Sequence, residues 1–261
     1  MVDKLIGANF IGAERAYFEW SNPVPPPDVW SRVEAPALTS AFTEVVHEKG
    51  KKLKVLDIGV GGGKMLGLLE GLGVSAKNIT GIDLNSKMLK LVAEIQPEVT
   101  LLQADVARKA SLSKLTDRAP FDVITASMVL NHLSDRRLKH AVDNIFNLLK
   151  DGGSVIALVP YPGGPEKIKG LEVQKTGVTK VENAPWGGRV IYHHRAFMLY
   201  HEIFERSGFY MHLRVELKPG SKFPNRLLIC GIKNMNFRNL IERERLGVKT
   251  VNMRAYTRSG Q

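Results

Sequence analysis

The stretch VLDIGVGGGKML, Val55 to Leu66, constrains the fold of this chain more than any other. An apolar run ends in an acid, four glycines follow within the five positions 59–63, and a helix-like pattern opens at Lys64. A short continuous apolar run reads as a strand buried on both faces, and a glycine-rich turn into a helix is the entry to a β–α unit. Three occupants suit such a loop: a phosphorylated nucleotide, a nucleotide without phosphates, or nothing beyond tight packing.

The pattern then repeats. NITGIDL reads as a second strand, and NSKMLKLVAEIQP as a helix capped by Asn85 or Ser86 and stopped by Pro97. VTLLQADV and FDVITASMVL read as the third and fourth strands, and SVIALVPY as the fifth. SDRRLKHAVDNIFNLLKDGG gives the clearest helix, with Leu138, Ala141, Val142, Ile145 and Leu149 on one face and Gly152 expected as its C-terminal cap. Apolar strands separated by helices mean a parallel sheet covered on both sides.

The ends differ from the middle. NPVPPPDVW cannot be regular helix or central strand, and EAPALTSAFTEVVHEKG reads as a helix ended by Gly50. HHRAFMLYHEIFERSG reads as a helix opened by His193 and His194, followed by the alternating FYMHLRVELK and then NRLLICGIK as an antiparallel hairpin. An irregular insertion, residues 163–192, leaves the fifth strand where it can cover a site. The chain divides into an N-terminal helical or lid segment (1–50), a single α/β domain (51–234) and a basic tail (235–261).

The glycine spacing decides among the occupants. A dinucleotide loop needs G-x-G-x-x-G/A, yet the frame from Gly59 puts Lys64 at the third position and the frame from Gly61 puts Leu66 there. The phosphate-binding GK[ST] is absent too, since Met65 follows Lys64. What fits is D-x-G-x-G-x-G, made by Asp57, Gly59, Gly61 and Gly63. In these residues the chain resembles the class I S-adenosylmethionine-dependent methyltransferases. An acid beside the turn repels a diphosphate but suits the cationic end of S-adenosylmethionine, while the helix N-terminus suits its carboxylate.

The resemblance extends over about residues 36–234. It implies an α/β, Rossmann-like, doubly wound sheet of seven strands, six parallel and the last antiparallel, with S-adenosylmethionine as cofactor. It implies that Asp83, with Leu84 beside it, meets the ribose hydroxyls. Asp105 then lies near the adenine amine with Val106 against the ring, and Ser127 joins them at the end of the fourth strand. On the acceptor side His132 is the candidate base, since a neutral imidazole suits proton removal; a plain backbone-capping role is its alternative. His193 and His194 are weaker candidates, and Met128 and Tyr161 line the expected pocket. Tyr17, Phe18, Trp20 and Trp30 are available to a lid, or to simple hydrophobic anchoring.

Several chemistries drop out. Metal-dependent catechol-type transfer needs carboxylates after the fourth and fifth strands, where ASMV and VPYP offer none; amino-group transfer to adenine or glutamine lacks its NPPY or DPPY motif. Cytosine C5 chemistry needs a nucleophilic cysteine, and the lone Cys230 falls in an expected core strand. The remaining chemistry is metal-free methyl transfer to O, N or C of a small-molecule acceptor.

Charge bears on the alternatives. The formal charge is +11, but residues 235–261 hold six basic and two acidic side chains and so supply +4 of it. The other cations are scattered, which disfavours a nucleic-acid partner without removing an RNA or protein methyltransferase that docks through basic surface. A cofactor-binding module without turnover is the non-enzymatic alternative. A single cysteine, and the lack of any apolar leader or membrane-length run, give a cytoplasmic expectation with no membrane partner. The lid or the tail is available to a homodimer contact.

Overall fold

A computed structural model describes residues 30–49, 52–161, 167–168, 171–172, 177–181, 190–217, 225–236 and 238. Helix α1 (Ala35–Lys49) follows a short π-helical turn, Trp30–Glu34, and leads to strand β1 (Val55–Ile58). Then come α2 (Lys64–Gly71), β2 (Ile79–Asp83), α3 (Ser86–Ile95), β3 (Thr100–Gln103), β4 (Phe121–Ser127) and α4 (Asp135–Leu148). Strand β5 spans Leu149–Tyr161. Two small pairs follow, β6 (Lys167–Ile168) with β7 (Leu171–Glu172), and β8 (Gly177–Val181) with β9 (Val190–His194). Helix α5 (Phe197–Ser207), β10 (Phe209–Leu217) and β11 (Asn225–Lys233) close the fold.

The main sheet has seven strands in the order β10-β11-β5-β4-β1-β2-β3. Pairs among β1 to β5 are parallel, and β11 runs antiparallel to both β5 and β10. That is the expected six-plus-one arrangement. Alternation along each strand feeds two cores. Leu56, Ile124, Val155 and Ala157 face α4 and α5, while Val55, Val123, Ile156 and Leu158 face α1, α2 and α3.

Order reverses between β1 and β4: the chain moves outward through β2 and β3, then returns to build β4 and β5 on the other side. A crevice opens beyond the carboxyl ends of the strands at such a reversal. The remaining local geometry follows from the sequence. Asn85 caps α3 by accepting from the Lys87 and Met88 N–H groups, 3.0 and 3.2 Å away.

Three local expectations are corrected. His193 and His194 do not open the helix; they end strand β9, and α5 begins at Phe197, because register with β8 (His194 opposite Gly177, His193 opposite Val178) claims their backbone. The insertion is accordingly not wholly irregular. Gly152 is not the cap of α4: the helix stops at Leu148, Leu149 is already extended, and Gly152 (φ 70°) turns within β5. Residues 1–29, including Tyr17, Phe18 and Trp20, lie outside the described residues, as does nearly all of the tail.

Candidate functional site

The crevice at the reversal is floored by the glycine turn. Gly59 (φ 75°) donates its N–H to the Ile82 carbonyl at 2.7 Å, which draws the turn across to β2. A Cβ on Gly59 would sit 2.1 Å from Val129 Cγ2, so only glycine lets the exits of β1 and β4 meet. Gly63 (φ 82°) forms the N-cap of α2, which no side chain caps. Gly61 completes the turn and donates its N–H to Asp83 Oδ2 at 3.0 Å.

Two carboxylates face this loop. Asp57, 1% exposed at the end of β1, accepts the Thr125 hydroxyl on Oδ1 at 2.7 Å, and its Oδ2 is buried with no partner. Burial, outweighing the Thr125 hydrogen bond and joined by the charge of Asp83, pushes its pKa up to about 7. Half-buried Asp83 ends β2, with Oδ1 accepting the Asn85 N–H at 2.9 Å. Burial raises its pKa against the hydrogen bonds from Asn85, Gly61 and Leu84 that lower it. Each Asp83 oxygen keeps acceptor capacity beyond those bonds.

Asp105 stands apart from that pair. It is 8% exposed, accepts Arg137 Nη2 on both oxygens at 2.8 and 2.9 Å, and takes the Ala107 N–H at 2.9 Å. The sequence reading did not include Arg137, which sits on α4. Val106 is buried and its carbonyl accepts Asn144 Nδ2; half-buried Leu84 offers its carbonyl to Gln103.

The exit of β4 carries strain. After half-buried Ser127, Met128 adopts φ 58°, held by its N–H on the Leu158 carbonyl at 2.7 Å. A non-glycine residue there costs about 1–3 kcal/mol, and such positions cluster at functional sites. The turn runs on through Val129 to His132, half-buried in a 3₁₀ turn, Leu130–His132. His132 Nδ1 lies 2.8 Å from the Ile191 carbonyl, which can only accept, so Nδ1 carries the proton. Nε2 is then the acceptor, 3.3 Å from Asn131 Nδ2. Burial lowers the pKa of His132, against the raising effect of the Ile191 and Met128 backbone bonds, so the ring is neutral at physiological pH.

The other acceptor-side residues gather on β9. Tyr192 lies 5.1 Å from His132 and 6.3 Å from His194, centroid to centroid. His194 is buried with Nε2 unpartnered, its pKa lowered by burial and then by Arg195. Half-buried His193, between them, is set by strand alternation on the other face. Glu34 and Arg226 form a buried ion pair at 2.6 Å, and both act electrostatically on Tyr192. Tyr161 ends β5 with its backbone opposite Asn225. Sequence reasoning missed Tyr192, Asn131 and Arg137; no motif marks them, and only the folding of β9 onto the β4 exit makes Tyr192 and Asn131 part of the site.

Among the described residues no group of three or more His, Cys, Asp or Glu is arranged to hold a metal, and no helix is long and apolar enough to cross a membrane. A hollow of about 470 Å³ meets the site at Ala107 and Asn144, the contacts of Asp105 and Val106; Lys109, Lys139, Arg206 and Arg238 line it, with Asp143 as its acid.

This geometry agrees with what the chain is similar to. The family model described as a methyltransferase domain matches residues 55–153. A curated relative, the ubiquinone biosynthesis O-methyltransferase of Dechloromonas aromatica, is 36% identical over 104 residues, covering 39% of this chain and 42% of that protein. The chain therefore spans less than half the length of that relative. Among solved structures, an S-adenosylmethionine-dependent methyltransferase from Mesorhizobium loti superposes with TM-score 0.60 at 21% identity, covering 79% of this chain and 99% of that one. The 1,6-didemethyltoxoflavin-N1-methyltransferase of Burkholderia thailandensis, solved with S-adenosylhomocysteine, gives 0.56 at 18%, covering 86% and 89%.

Residues 55–153 thus resemble a methyltransferase domain. The fold built on it is that of the class I S-adenosylmethionine-dependent methyltransferases, and S-adenosylmethionine is the cofactor of that class. The crevice fits it: an unpartnered buried carboxylate oxygen on Asp57 suits an ammonium, and the glycine turn leaves no side chain between backbone and ligand.

Proposed function

We propose that this chain is an S-adenosylmethionine-dependent methyltransferase that methylates a hydroxyl oxygen of a small organic acceptor without a metal. The observation that carries this reading is the His132 ring: neutral, fixed through Nδ1 on the Ile191 carbonyl, and three residues from the Val129 side chain that packs on Gly59. The bound cofactor supplies an activated methyl on a sulfonium.

The chain's residues divide the remaining work. Asp57 takes the ammonium, Asp83 the ribose hydroxyls, and the N-terminus of α2 the carboxylate. Val106, Leu84 and Ser127 line the adenosine, with Asp105 near the adenine amine by the one acceptor direction Arg137 and Ala107 leave it. His132 Nε2 takes the hydroxyl proton as the oxygen attacks; its 3.3 Å contact with Asn131 is long and yields readily to an acceptor O–H. Met128, Tyr192 and His194 bound the acceptor, while His193 lies at the margin. Positioning two reactants in this way is worth up to about 7–11 kcal/mol. The likeness to an O-methyltransferase of Dechloromonas aromatica supports oxygen as the methylated atom.

A second reading, an acidic macromolecular acceptor docking through basic surface, draws on the hollow lined by Lys109, Lys139, Arg206 and Arg238. The test is S-adenosylhomocysteine formation with a panel of hydroxylated and aminated small molecules, using wild type and His132→Gln. Turnover of hydroxyl acceptors that falls about 10²–10⁴-fold in the variant supports the proposal. Turnover of amines alone, or an undiminished variant, overturns it.

A further inference from the structure

Arg195 is the least exposed of the described cations, at 3%, and the mechanism above gives it no role. It follows β9 directly, yet its guanidinium reaches back across 60 residues to the turn that carries His132. Nε donates to Asp135 Oδ1 at 2.8 Å, Nη1 to the Leu130 carbonyl at 3.5 Å, and Nη2 closely to the Leu133 carbonyl. Its charge carbon lies 5.8 Å from the Tyr200 ring centroid. Leu130 and Leu133 flank His132, so one rigid fork fastens the turn on both sides of the ring.

The ring itself is fastened to the same segment, since its Nδ1 donates to Ile191, four residues before Arg195. Segment 191–195 therefore holds the turn twice, once through the imidazole and once through the backbone around it. Asp135 is 72% exposed on its side chain, so the ion pair alone does not explain burying this cation. The two carbonyls supply the remaining compensation, and only a planar multi-donor group meets three acceptors in one plane; an ammonium does not.

We propose that Arg195 is the positioning residue of the site, setting the His132 imidazole by clamping the carbonyls of Leu130 and Leu133. The inference rests on the reading of His132 as base. Its measurement does not need an acceptor.

The test uses the full chain labelled with ¹⁵N-histidine and reads the ring nitrogens by long-range ¹H–¹⁵N correlation at pH 7.5. Wild-type His132 is expected as a single neutral tautomer protonated at Nδ1. Arg195→Met keeps the stem and removes the fork; Arg195→Lys keeps the charge and removes the fork. Both are expected to average the two tautomers of His132, while S-adenosylhomocysteine affinity by calorimetry stays within about threefold. Once an acceptor is in hand, kcat falls about 10²-fold with the cofactor KM unchanged. An unchanged His132 spectrum in either variant overturns the proposal, since packing or charge alone then suffices. Should Arg195→Met fail to fold, Asp135→Asn loosens one anchor, and partial averaging supports the clamp where an unaltered spectrum refutes it. If the clamp signature holds but wild type methylates nothing, His132 falls as base while the grip of Arg195 stands.

Discussion

The protonation of Asp57 yields the sharpest prediction. Its carboxyl is buried, with a pKa pushed up from 3.8 to about 7, so near neutrality about half of it carries a proton in the free protein. The ammonium of S-adenosylmethionine against Oδ2 favours the carboxylate and draws that pKa down. Binding therefore releases a proton: roughly half a proton at pH 7 and roughly 0.9 at pH 6. Because the free protein holds the extra proton, affinity rises with pH and levels off above 7. Well below that point it falls ~tenfold per pH unit, and the whole drop from pH 7 to 5 is ~50-fold. The ligand's own α-amino group, with a pKa of about 7.7–8.0, stays protonated throughout this window. Titration calorimetry at pH 5, 6 and 7, in buffers of different ionisation enthalpy, reads both quantities. Asp57→Asn retains the Thr125 hydrogen bond and should bind more weakly with a flat profile. Level affinity in wild type, or a slope that survives in Asp57→Asn, refutes the reasoning.

Four further outcomes follow from the same geometry. Asp83→Ala, which removes the proposed ribose acceptor and the brace on the Gly61 N–H, should weaken S-adenosylmethionine by about 1–3 kcal/mol in calorimetry, whereas unchanged binding takes Asp83 out of the site. Gly59→Ala meets Val129 Cγ2 at 2.1 Å and carries a left-handed backbone cost of about 1–2 kcal/mol. Its melting temperature should drop and recover in part with Val129→Ala; a wild-type melting curve removes the close approach. For His132, lowered below the ordinary histidine pKa, the acceptor kcat/KM at saturating S-adenosylmethionine should be level through neutrality and fall only below that ordinary value as the base gains a proton. A limb centred above 6.5 assigns the base elsewhere. Cys230, buried and pushed up to about 12, should resist iodoacetamide in the native protein at pH 8, and rapid alkylation contradicts its burial.

What the sequence made legible was the part written in local pattern. Strands β1, β2, β4 and β5 announce themselves as apolar runs because both faces are covered, and Asn85 caps where a short polar side chain reaches the next amides. Asp57, Gly59 and Gly63 were readable because one acid and two left-handed turns leave a residue-type signature. The acceptor side was not. His193 and His194 looked like a helix start because nothing within ten residues reveals that Gly177–Val181 will pair with them. Arg195 and Asn131 are single residues in unremarkable contexts, and they matter only when the segment after β9 folds onto a turn some 60 residues earlier. Asp105 shows the converse limit. Its place at the end of β3 was legible, but the Arg137 that occupies it comes from a helix 32 residues on.

The measurement that tests the account most directly supplies methyl-tritiated S-adenosylmethionine and cell extract to the purified protein, then counts label in separated metabolites, RNA and protein. Label in a hydroxyl-bearing metabolite, lost with His132→Gln, is the result predicted here. Label confined to RNA or protein contradicts the small-molecule reading, and binding of the cofactor with no label in any fraction contradicts transfer itself.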